Sequence, residues 1–398
     1  MLVRLVLFAS ILSLGTMGAL VAGETQGLAL ANLSGVSVQA AANATDGSTM
    51  YVGLTGGPQP AGVYRSEDHG LTWKVVSSGP GSAINALAVH PLERNLVYAG
   101  TAGGSVETSA SLWRSDNGGQ TWHRFSLSLP ADPYGTIPAV NALAVDPAHP
   151  EVLYAGTDGY GIYRFDVQRN GYELVGGTSL YNAHVTGLVF GPDSRLYALT
   201  GDGLYVSSGG PWQQLLVPEQ AASLAVAANY PQLLYIGGTS TGVFRSIDGG
   251  QSWEPINAGL PMLPGAALRV TSLAVDEQNE DHVVAATTYG LGGRFAGGNV
   301  YESWNAGQAW NKVAESDSVI TRLSIDGGAI YAASAAGLAR YGKQVGQSAQ
   351  AFAWPNWAAL TNPTGVQVLI LILTVSLAGL ALAWRKEWLV QRRGQVTC

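Results

Sequence analysis

Short runs in which apolar residues alternate with polar or small residues occur along most of the chain, and turn-forming residues separate them. One such run covers Ile84–Val89, and a second follows from Val97 to Thr101 after a polar turn. A third run, Leu112–Ser115, leads into a glycine-containing turn that ends at Trp122. A period of two over four to eight residues is typical of half-buried β-strands. Because we identify no convincing amphipathic helix in this part of the chain, the pattern predicts an all-β fold.

This unit of about four short strands recurs seven times. The centre of its second strand is marked, at intervals of 38 to 56 residues, by Tyr51, Tyr98, Tyr154, Tyr197, Tyr235, Val284 and Tyr331. Units of this size and strand number are typical of propeller blades, which bury their apolar faces only by stacking on one another. The sequence therefore predicts a seven-bladed β-propeller over residues 28–345.

A turn of the form Ser-x-Asp-x-Gly-x-Thr-Trp, called the boxed turn below, joins the third and fourth strands of four units. A short carboxylate or amide can accept hydrogen bonds from the backbone of its own turn, and glycine tolerates a positive φ. We interpret the acidic residues as structural turn caps rather than calcium ligands or catalytic groups, since asparagine replaces aspartate in two copies. The four copies contain Ser66, Asp68, Gly70 and Trp73; Ser115, Asn117, Gly119 and Trp122; Ser246, Asp248, Gly250 and Trp253; and Ser303, Asn305, Gly307 and Trp310.

The seventh unit has no boxed turn and no clear fourth strand. Two segments could supply that outer strand and close the ring. One is Leu28–Val38, which precedes the first unit, and the other is Ala349–Trp354, which follows the last. The sequence leaves both alternatives open.

Both ends of the chain carry long apolar runs. Residues 1–23 contain Arg4 followed by an apolar run, which predicts a signal peptide, with an uncleaved anchor as the alternative. Residues 366–384 form an apolar run that spans roughly 28 Å as a helix, enough to cross a bilayer. Basic residues follow it, so residues 385–398 are predicted to be a cytoplasmic tail. The propeller would then lie on the extracytoplasmic side, joined by a linker over residues 346–365.

Composition excludes several classes of function. The net charge of −7 and the absence of an evident basic face argue against nucleic acid as a partner. The single cysteine, Cys398, excludes an intrachain disulfide and a cysteine-based metal site. The six histidines show no metal-ligand spacing. We therefore expect no metal and no cofactor.

The boxed turns, the Val-Tyr-Arg-Ser segment before Asp68 and the Leu-Tyr-Ala-Gly-Thr strand ending at Thr157 resemble the Asp-box, or bacterial neuraminidase, repeat superfamily. The resemblance covers most of the chain and implies the propeller fold. The superfamily includes sialidases, xyloglucanases, sortilin-type receptor domains and the photosystem II stability/assembly factors. The short, regular repeats look most similar to the assembly factors and to uncharacterised bacterial members. Because fold similarity does not assign function, these activities remain alternatives.

A catalytic site has little support in the sequence. Sialidases usually carry an Arg-Ile-Pro segment near the start of the propeller, and this chain has none. An inverting xyloglucanase needs two carboxylates separated by room for a water molecule. No family signature surrounds the candidate acids, which are Asp46, Glu107, Asp132, Asp158 and Asp202. We therefore expect a protein without enzymatic activity, and a glycan-binding module or a divergent glycoside hydrolase is the alternative.

An arginine recurs at one position in the third strand of five units. One interpretation is structural, with each guanidinium bound to a neighbouring turn or carbonyl. The other is a shared surface that docks an anionic partner, as the resemblance to the assembly factors implies. This arginine column contains Arg65, Arg114, Arg164, Arg245 and Arg340.

The longest insertions are predicted to gather on the propeller face opposite the boxed turns, where loops over a rigid scaffold often bind partners. They are Leu54–Gly62, Ala102–Ser111, Pro130–Ala139, Pro261–Arg269 and Tyr289–Asn299. The last insertion contains glycines with aromatic residues and an arginine, which are favoured at protein interfaces. The predicted binding patch is Tyr289, Arg294, Phe295, Tyr134, Glu107 and Arg269, and a plain solvated loop is the alternative. The sequence thus favours a membrane-anchored module that binds a protein, in the assembly or stability of a membrane complex of the photosynthetic type. A scaffold of the cell envelope without a fixed ligand is a further alternative.

Overall fold

The computed structural model describes residues 28–29, 33 and 37–342, with gaps at 45, 47, 56–61, 77–79, 81–82, 106–111, 126–128, 130–134, 170 and 292–293. Seven antiparallel four-stranded sheets follow one another along this region. Each sheet is one blade, and no blade contains a helix within the described residues. The predicted all-β, seven-bladed propeller is confirmed.

Strand bounds follow the predicted repeat. The short strand β1 (Leu28–Ala29) precedes blade one, which comprises β2 (Val38–Asn43), β3 (Met50–Leu54), β4 (Gly62–Ser66) and β5 (Lys74–Val75). Blade two comprises β6 (Ile84–Val89), β7 (Val97–Thr101), β9 (Leu112–Ser115) and β10 (His123–Arg124), while β8 (Gly104–Ser105) pairs with β11 (Thr136–Ile137) outside the blades. Blade three comprises β12 (Val140–Val145), β13 (Val152–Thr157), β14 (Ile162–Asp166) and β15 (Gly171–Leu174).

The remaining blades keep the same order of strands. Blade four comprises β16 (Val185–Phe190), β17 (Leu196–Thr200), β18 (Gly203–Ser207) and β19 (Gln213–Leu215), and blade five comprises β20 (Ala221–Val226), β21 (Leu234–Gly238), β22 (Val243–Ser246) and β23 (Glu254–Pro255). Blade six comprises β24 (Ala267–Asp276), β25 (Asn279–Leu291), β26 (Arg294–Ser303) and β27 (Asn311–Ser316). Blade seven comprises β28 (Ile320–Asp326), β29 (Ala329–Ser334) and β30 (Gly337–Tyr341).

The N-terminal segment closes the ring. Strand β1 pairs antiparallel with β30, with Leu28 opposite Arg340, and so becomes the outer strand of blade seven. Across the same junction, the Tyr331 hydroxyl donates to the carbonyl of His69, and His69 Nδ1 lies 3.0 Å from Asp326 Oδ2. Of the two predicted alternatives, the structure supports the one that begins at Leu28, and residues 349–354 lie outside the described residues.

Blades one, two, three and five pack closely on the next blade because their second strands carry a glycine at the contact, namely Gly53, Gly100, Gly156 and Gly237. A Cβ atom at Gly53 would come within 2.5 Å of the Ile84 side chain in the next blade. Gly100 meets Val140 in the same way. The tyrosine two residues earlier in each of these strands, Tyr51 or Tyr98, is fully buried. The core is therefore distributed between successive blades, as stacked repeats require.

The two faces of the propeller are distinguished by their turns. The backbone N–H of each boxed turn donates to the turn between the first two strands of the same blade, as Gly118 does to Asn95 O at 2.7 Å and Gly249 to Gln232 O at 2.9 Å. We call this side the box face. The loops between second and third strands and the connections between blades lie on the opposite side, which we call the connection face. This arrangement follows from the antiparallel order of strands within each blade.

The predicted signal peptide, linker, transmembrane segment and cytoplasmic tail, including Cys398, lie outside the described residues. Within the residues that the structure does describe, no helix is long and apolar enough to cross a bilayer. Those assignments therefore stay predictions.

Candidate functional site

Blade six departs from its neighbours on the connection face. Its strands β25 and β26 contain 13 and 10 residues, whereas the corresponding strands β21 and β22 of blade five contain five and four. Pairing continues through Tyr289 opposite Ala296 to Leu291 opposite Arg294. The segment interpreted from its glycines as a flexible loop is thus a β-hairpin, because the ladder supplies partners for its backbone groups.

Blade five supports the base of this hairpin. Leu268 at the start of β24 donates its N–H to Ser240 O at 2.8 Å and accepts from Gly242 N at 3.2 Å. The Glu219 carboxylate accepts hydrogen bonds from the Ser240 hydroxyl and from the Thr241 hydroxyl. It also accepts from the Thr241 N–H at 2.8 Å. These bonds lower the pKa of Glu219 although its partial burial acts to raise it. The base of the hairpin is therefore held to blade five by backbone hydrogen bonds through Leu268.

Four of the six residues predicted to form the binding patch lie in blade six. Arg269 is exposed in β24, opposite Thr288. Arg294 and Phe295 are placed at the start of β26 by their backbone. Tyr289 packs against the core between blades five and six, and its burial raises the pKa of its hydroxyl. Glu107 and Tyr134 lie outside the described residues.

Two exposed apolar side chains beside β24 were missed by the sequence analysis. Met262 and Leu263 are 47% and 53% exposed in the connection that enters blade six. Both lie inside the insertion that ends at Arg269. The signal was available, because two adjacent apolar residues stand between Pro261 and Pro264, where strand alternation gives no reason to bury them.

The arginine column faces the buried tyrosines across each sheet. Arg65 lies opposite Tyr51, and the pairing repeats with Arg114 opposite Tyr98. The guanidinium groups contact carboxylates of their own blades, including Glu67 at 2.9 Å from Arg65. The same pairing of arginine with tyrosine recurs at Arg164 with Tyr154, at Arg245 with Tyr235 and at Arg340 with Tyr331. Arg164 and Arg245 also contact the carboxylates of Glu173 and Glu254 in their own blades. Arg340 Nε instead donates to the Tyr331 hydroxyl at 3.1 Å.

One member of the arginine column also joins successive blades. Arg245 Nη1 donates to Ala306 O, in the boxed turn of the next blade, at 2.8 Å. Arg195 of blade four, which is outside the column, makes a similar contact with Pro231 O of blade five at 2.9 Å. The bond of Arg245 agrees with the structural interpretation of the column, whereas docking of an anionic partner stays a prediction.

The boxed turns use their polar side chains internally. Asp68 Oδ1 accepts from the Ser66 hydroxyl at 2.7 Å and from Thr72 N at 2.8 Å, and the Ser66 oxygen accepts from Gly70 N at 2.8 Å. Asn117 Oδ1 accepts from Ser115 Oγ and Thr121 N in the same manner. Asp248 repeats the pattern, and its hydrogen bonds from Ser252 and Ser246 lower its pKa to about 2.

Of the candidate catalytic acids, the structure describes Asp46, Asp158 and Asp202, and Asp46 lies on the face opposite the other two. Asp46 is held in the turn between the first two strands of blade one, on the box face, where Thr49 N donates to it at 2.8 Å. Asp158 and Asp202 lie instead in loops on the connection face. Asp158 Oδ1 is 2.6 Å from His184 Nδ1, and both side chains are exposed. Glu107 and Asp132 lie outside the described residues. Within the part of the chain that the structure describes, no cluster of potential metal ligands occurs.

A central channel runs between the innermost strands of the seven blades. It encloses a cavity of about 250 Å³. Each innermost strand has a bulge near its connection-face end, as between Ile84 and Ala86. The residue after the bulge is small in six blades, but blade seven has Arg322 there. One step further towards the box face, the channel is lined by a ring of Ala41, Leu87, Leu143, Leu188, Leu224, Leu273 and Leu323.

Comparison with known proteins gives partial sequence matches. A family model described as Sortilin-Vps10 (sortilin, neurotensin receptor 3) matches residues 61–171. Vacuolar protein sorting/targeting protein 10 of Colletotrichum graminicola is 29% identical over 101 residues, which is 25% of this chain and 6% of that protein. A xyloglucanase of Paenibacillus sp is 30% identical over 119 residues, which is 25% of this chain and 11% of the enzyme. The chain therefore spans about a tenth or less of the length of these relatives.

Solved structures match over a larger part of the chain. The GH74 xyloglucanase of Xanthomonas campestris superposes with a TM-score of 0.59 at 19% identity, over 79% of this chain and 53% of the enzyme. YCF48, solved with a D1 peptide, superposes with a TM-score of 0.56 at 14% identity, over 80% of this chain and 97% of YCF48. The chain is a seven-bladed β-propeller with turns of the Asp-box type. Identities this low establish the shared fold alone, so the activities of these proteins do not follow from the similarity.

Proposed function

We propose that this Asp-box propeller is a membrane-anchored, extracytoplasmic module that binds a partner protein through blade six, in the assembly or stability of a membrane complex. The observation that carries the proposal is the hairpin of β25 and β26, which extends one blade on the connection face. The hairpin is anchored through Leu268 to blade five, so little conformational freedom is lost when a partner binds to it.

The chemistry around the hairpin suits a partner segment with both acidic and apolar residues. Arg269 is exposed in β24, and Arg294 begins β26 in the same sheet. Met262 and Leu263 add exposed apolar area beside them. Arginine with apolar and aromatic neighbours is enriched at the centres of protein interfaces. The similarity in fold to YCF48, whose structure contains a D1 peptide, supports a peptide-binding role for this architecture.

The test is to purify the tagged full-length protein from native membranes in mild detergent and to quantify co-purifying proteins by mass spectrometry. We expect a stoichiometric membrane-protein partner that is lost when Arg294→Ala and Phe295→Ala are combined. The matched control combines Arg169→Ala with Leu216→Ala, which are about 88% and 87% exposed in blades three and four. If both double variants fold and retain the partner equally, blade six is not the binding site. If no stoichiometric partner co-purifies, the proposed function is contradicted.

A further inference from the structure

Arg322 is the one long, charged side chain at a channel position where the other six blades have a small residue. The equivalent positions in the other blades are Ala40, Ala86, Ala142, Gly187, Ser223 and Ser272. These residues leave the channel open, because none has a side chain longer than two heavy atoms. A single long cation therefore projects into space that six blades leave free.

The guanidinium of Arg322 has no hydrogen-bond or ion-pair partner among the described residues. Its side chain is exposed to the solvent-accessible space of the channel. No residue that lines the described channel is a carboxylate. Low-dielectric walls focus the field of an unpaired charge, so this guanidinium should attract an anion into the channel.

Polar groups near the same end of the channel could share an anion with Arg322. The bulge residues include Asn85, Asn141, Thr186 and Thr271. Asn85 Nδ2 already donates to Asn141 Oδ1 at 3.1 Å, and Thr271 donates to Ile320 O at 2.6 Å, which fixes their side chains. Thr186 is exposed to the channel, but its hydroxyl donates to Leu199 O at 3.3 Å, so the remaining amide N–H groups of Asn85 and Asn141 are the donors left for an anion.

The shape of the channel limits the size and the direction of entry of a ligand. The cavity is smaller than the roughly 300–1,000 Å³ that accommodates a drug-sized ligand. The ring of leucines lies on the box-face side of Arg322, so a charged group reaches the guanidinium from the connection face. A single anionic group fits this space better than an oligosaccharide.

We propose that the connection-face end of the central channel is an oxyanion site in which Arg322 binds one carboxylate or phosphate group. A planar guanidinium offers paired N–H donors that match two oxygens of either group. The proposal is independent of the partner protein discussed above, because the site would bind the free anion.

Thermal unfolding of the full-length protein in detergent tests the proposal, with sodium phosphate and sodium acetate titrated separately at constant ionic strength. We expect a saturable rise in Tm for the native protein with at least one anion, since a ligand that binds only the folded state stabilises it. The anion that saturates at the lower concentration identifies the group. Arg322→Gln should abolish the rise or weaken apparent affinity about tenfold or more.

Two further variants keep the outcome clear. Arg169→Gln removes an exposed arginine elsewhere and should leave the response of the native protein unchanged. Arg322→Lys keeps the charge but loses the planar fork, so it should bind more weakly than the native protein and more tightly than Arg322→Gln. Equal responses of the native protein and Arg322→Gln, or no saturable response to either anion, would overturn the proposal.

Discussion

Blade seven carries two arginines in very different surroundings. Arg340, in β30, is 2% exposed, and its Nε donates to the Tyr331 hydroxyl. Arg322, in β28, stands in the central channel and has no polar partner among the described residues. Arg340 occupies a position that holds arginine in five blades, whereas Arg322 occupies one that is small in the other six. An arginine that recurs at the same position in several blades serves the stacking of blades. An arginine that only one blade has at a position is better explained by a specific role.

Blade six also departs from the repeat, at the position of the arginine column. The tyrosine and arginine that five other blades have are replaced there by Val284 and Glu302. Glu302 instead faces the buried His282, whose Nε2 lies 3.7 Å from Glu302 Oε2. Trp304 covers His282 with its ring stacked at 3.8 Å. The blade that carries the extended hairpin on the connection face therefore also differs on the box face.

The comparison within blade seven predicts different effects of the same substitution. Arg340→Met should lower the free energy of unfolding by about 2 kcal/mol or more, because it removes a buried, charge-assisted hydrogen bond. Arg322→Met should leave that free energy nearly unchanged in a buffer free of phosphate and carboxylates, because the exposed guanidinium has no polar partner among the described residues to lose. Urea unfolding of the two full-length variants, followed by tryptophan fluorescence, measures both. Equal losses would show that Arg322 is also a structural residue.

The histidine of blade six predicts a dependence of stability on pH. Burial opposes its charged form, but Glu302 and Asp276, 3.1 Å from Nδ1, outweigh burial and raise the pKa of His282. A pKa higher in the folded state than in the unfolded state means that protonation stabilises the fold. This contribution is fully present below about pH 6.5, the ordinary histidine value, and is lost as the pH rises through the folded-state pKa.

Unfolding measured at pH 5.5, 7 and 8.5 tests this. The difference in stability between the native protein and His282→Gln should be largest at pH 5.5 and should shrink as the pH rises. Glu302→Gln should reduce the same pH dependence, because one of the two carboxylates facing the imidazole is then neutral. A difference that does not change with pH would show that folding does not shift the pKa of His282, and one that grows as the pH rises would show that His282 stays neutral in the fold.

Much of the fold was predictable because it repeats. Strand alternation, the seven marked second strands and the boxed turns each recur, so an ambiguity in one unit is resolved by the others. The choice between Leu28–Val38 and Ala349–Trp354 for ring closure had no such help, because closure occurs once and depends on contacts between distant parts of the chain.

The candidate site was less predictable for the same reason. The glycines near Arg294 were interpreted as a loop, yet the backbone there continues a β-ladder whose register only the structure reveals. Arg322 was not singled out, because its sequence neighbours are ordinary for a strand. Its signal lies in the alignment of the repeats, where a column of alanine, glycine and serine contains one arginine.

The smallest predicted effect concerns the boxed turns, where asparagine already replaces aspartate in two blades. Asp68→Asn should change the free energy of unfolding by less than about 1 kcal/mol, because an amide keeps the oxygen that accepts from Thr72 N. Its Nδ2 group can donate to the Thr72 hydroxyl, as Asn117 Nδ2 does to Thr121 Oγ1 at 2.9 Å. Asp68→Ala removes both oxygens and should cost about 1–2 kcal/mol, measured by urea unfolding. If Asp68→Asn were as damaging as Asp68→Ala, the charge itself would matter, and the boxed turn would have to be reconsidered as a cation site.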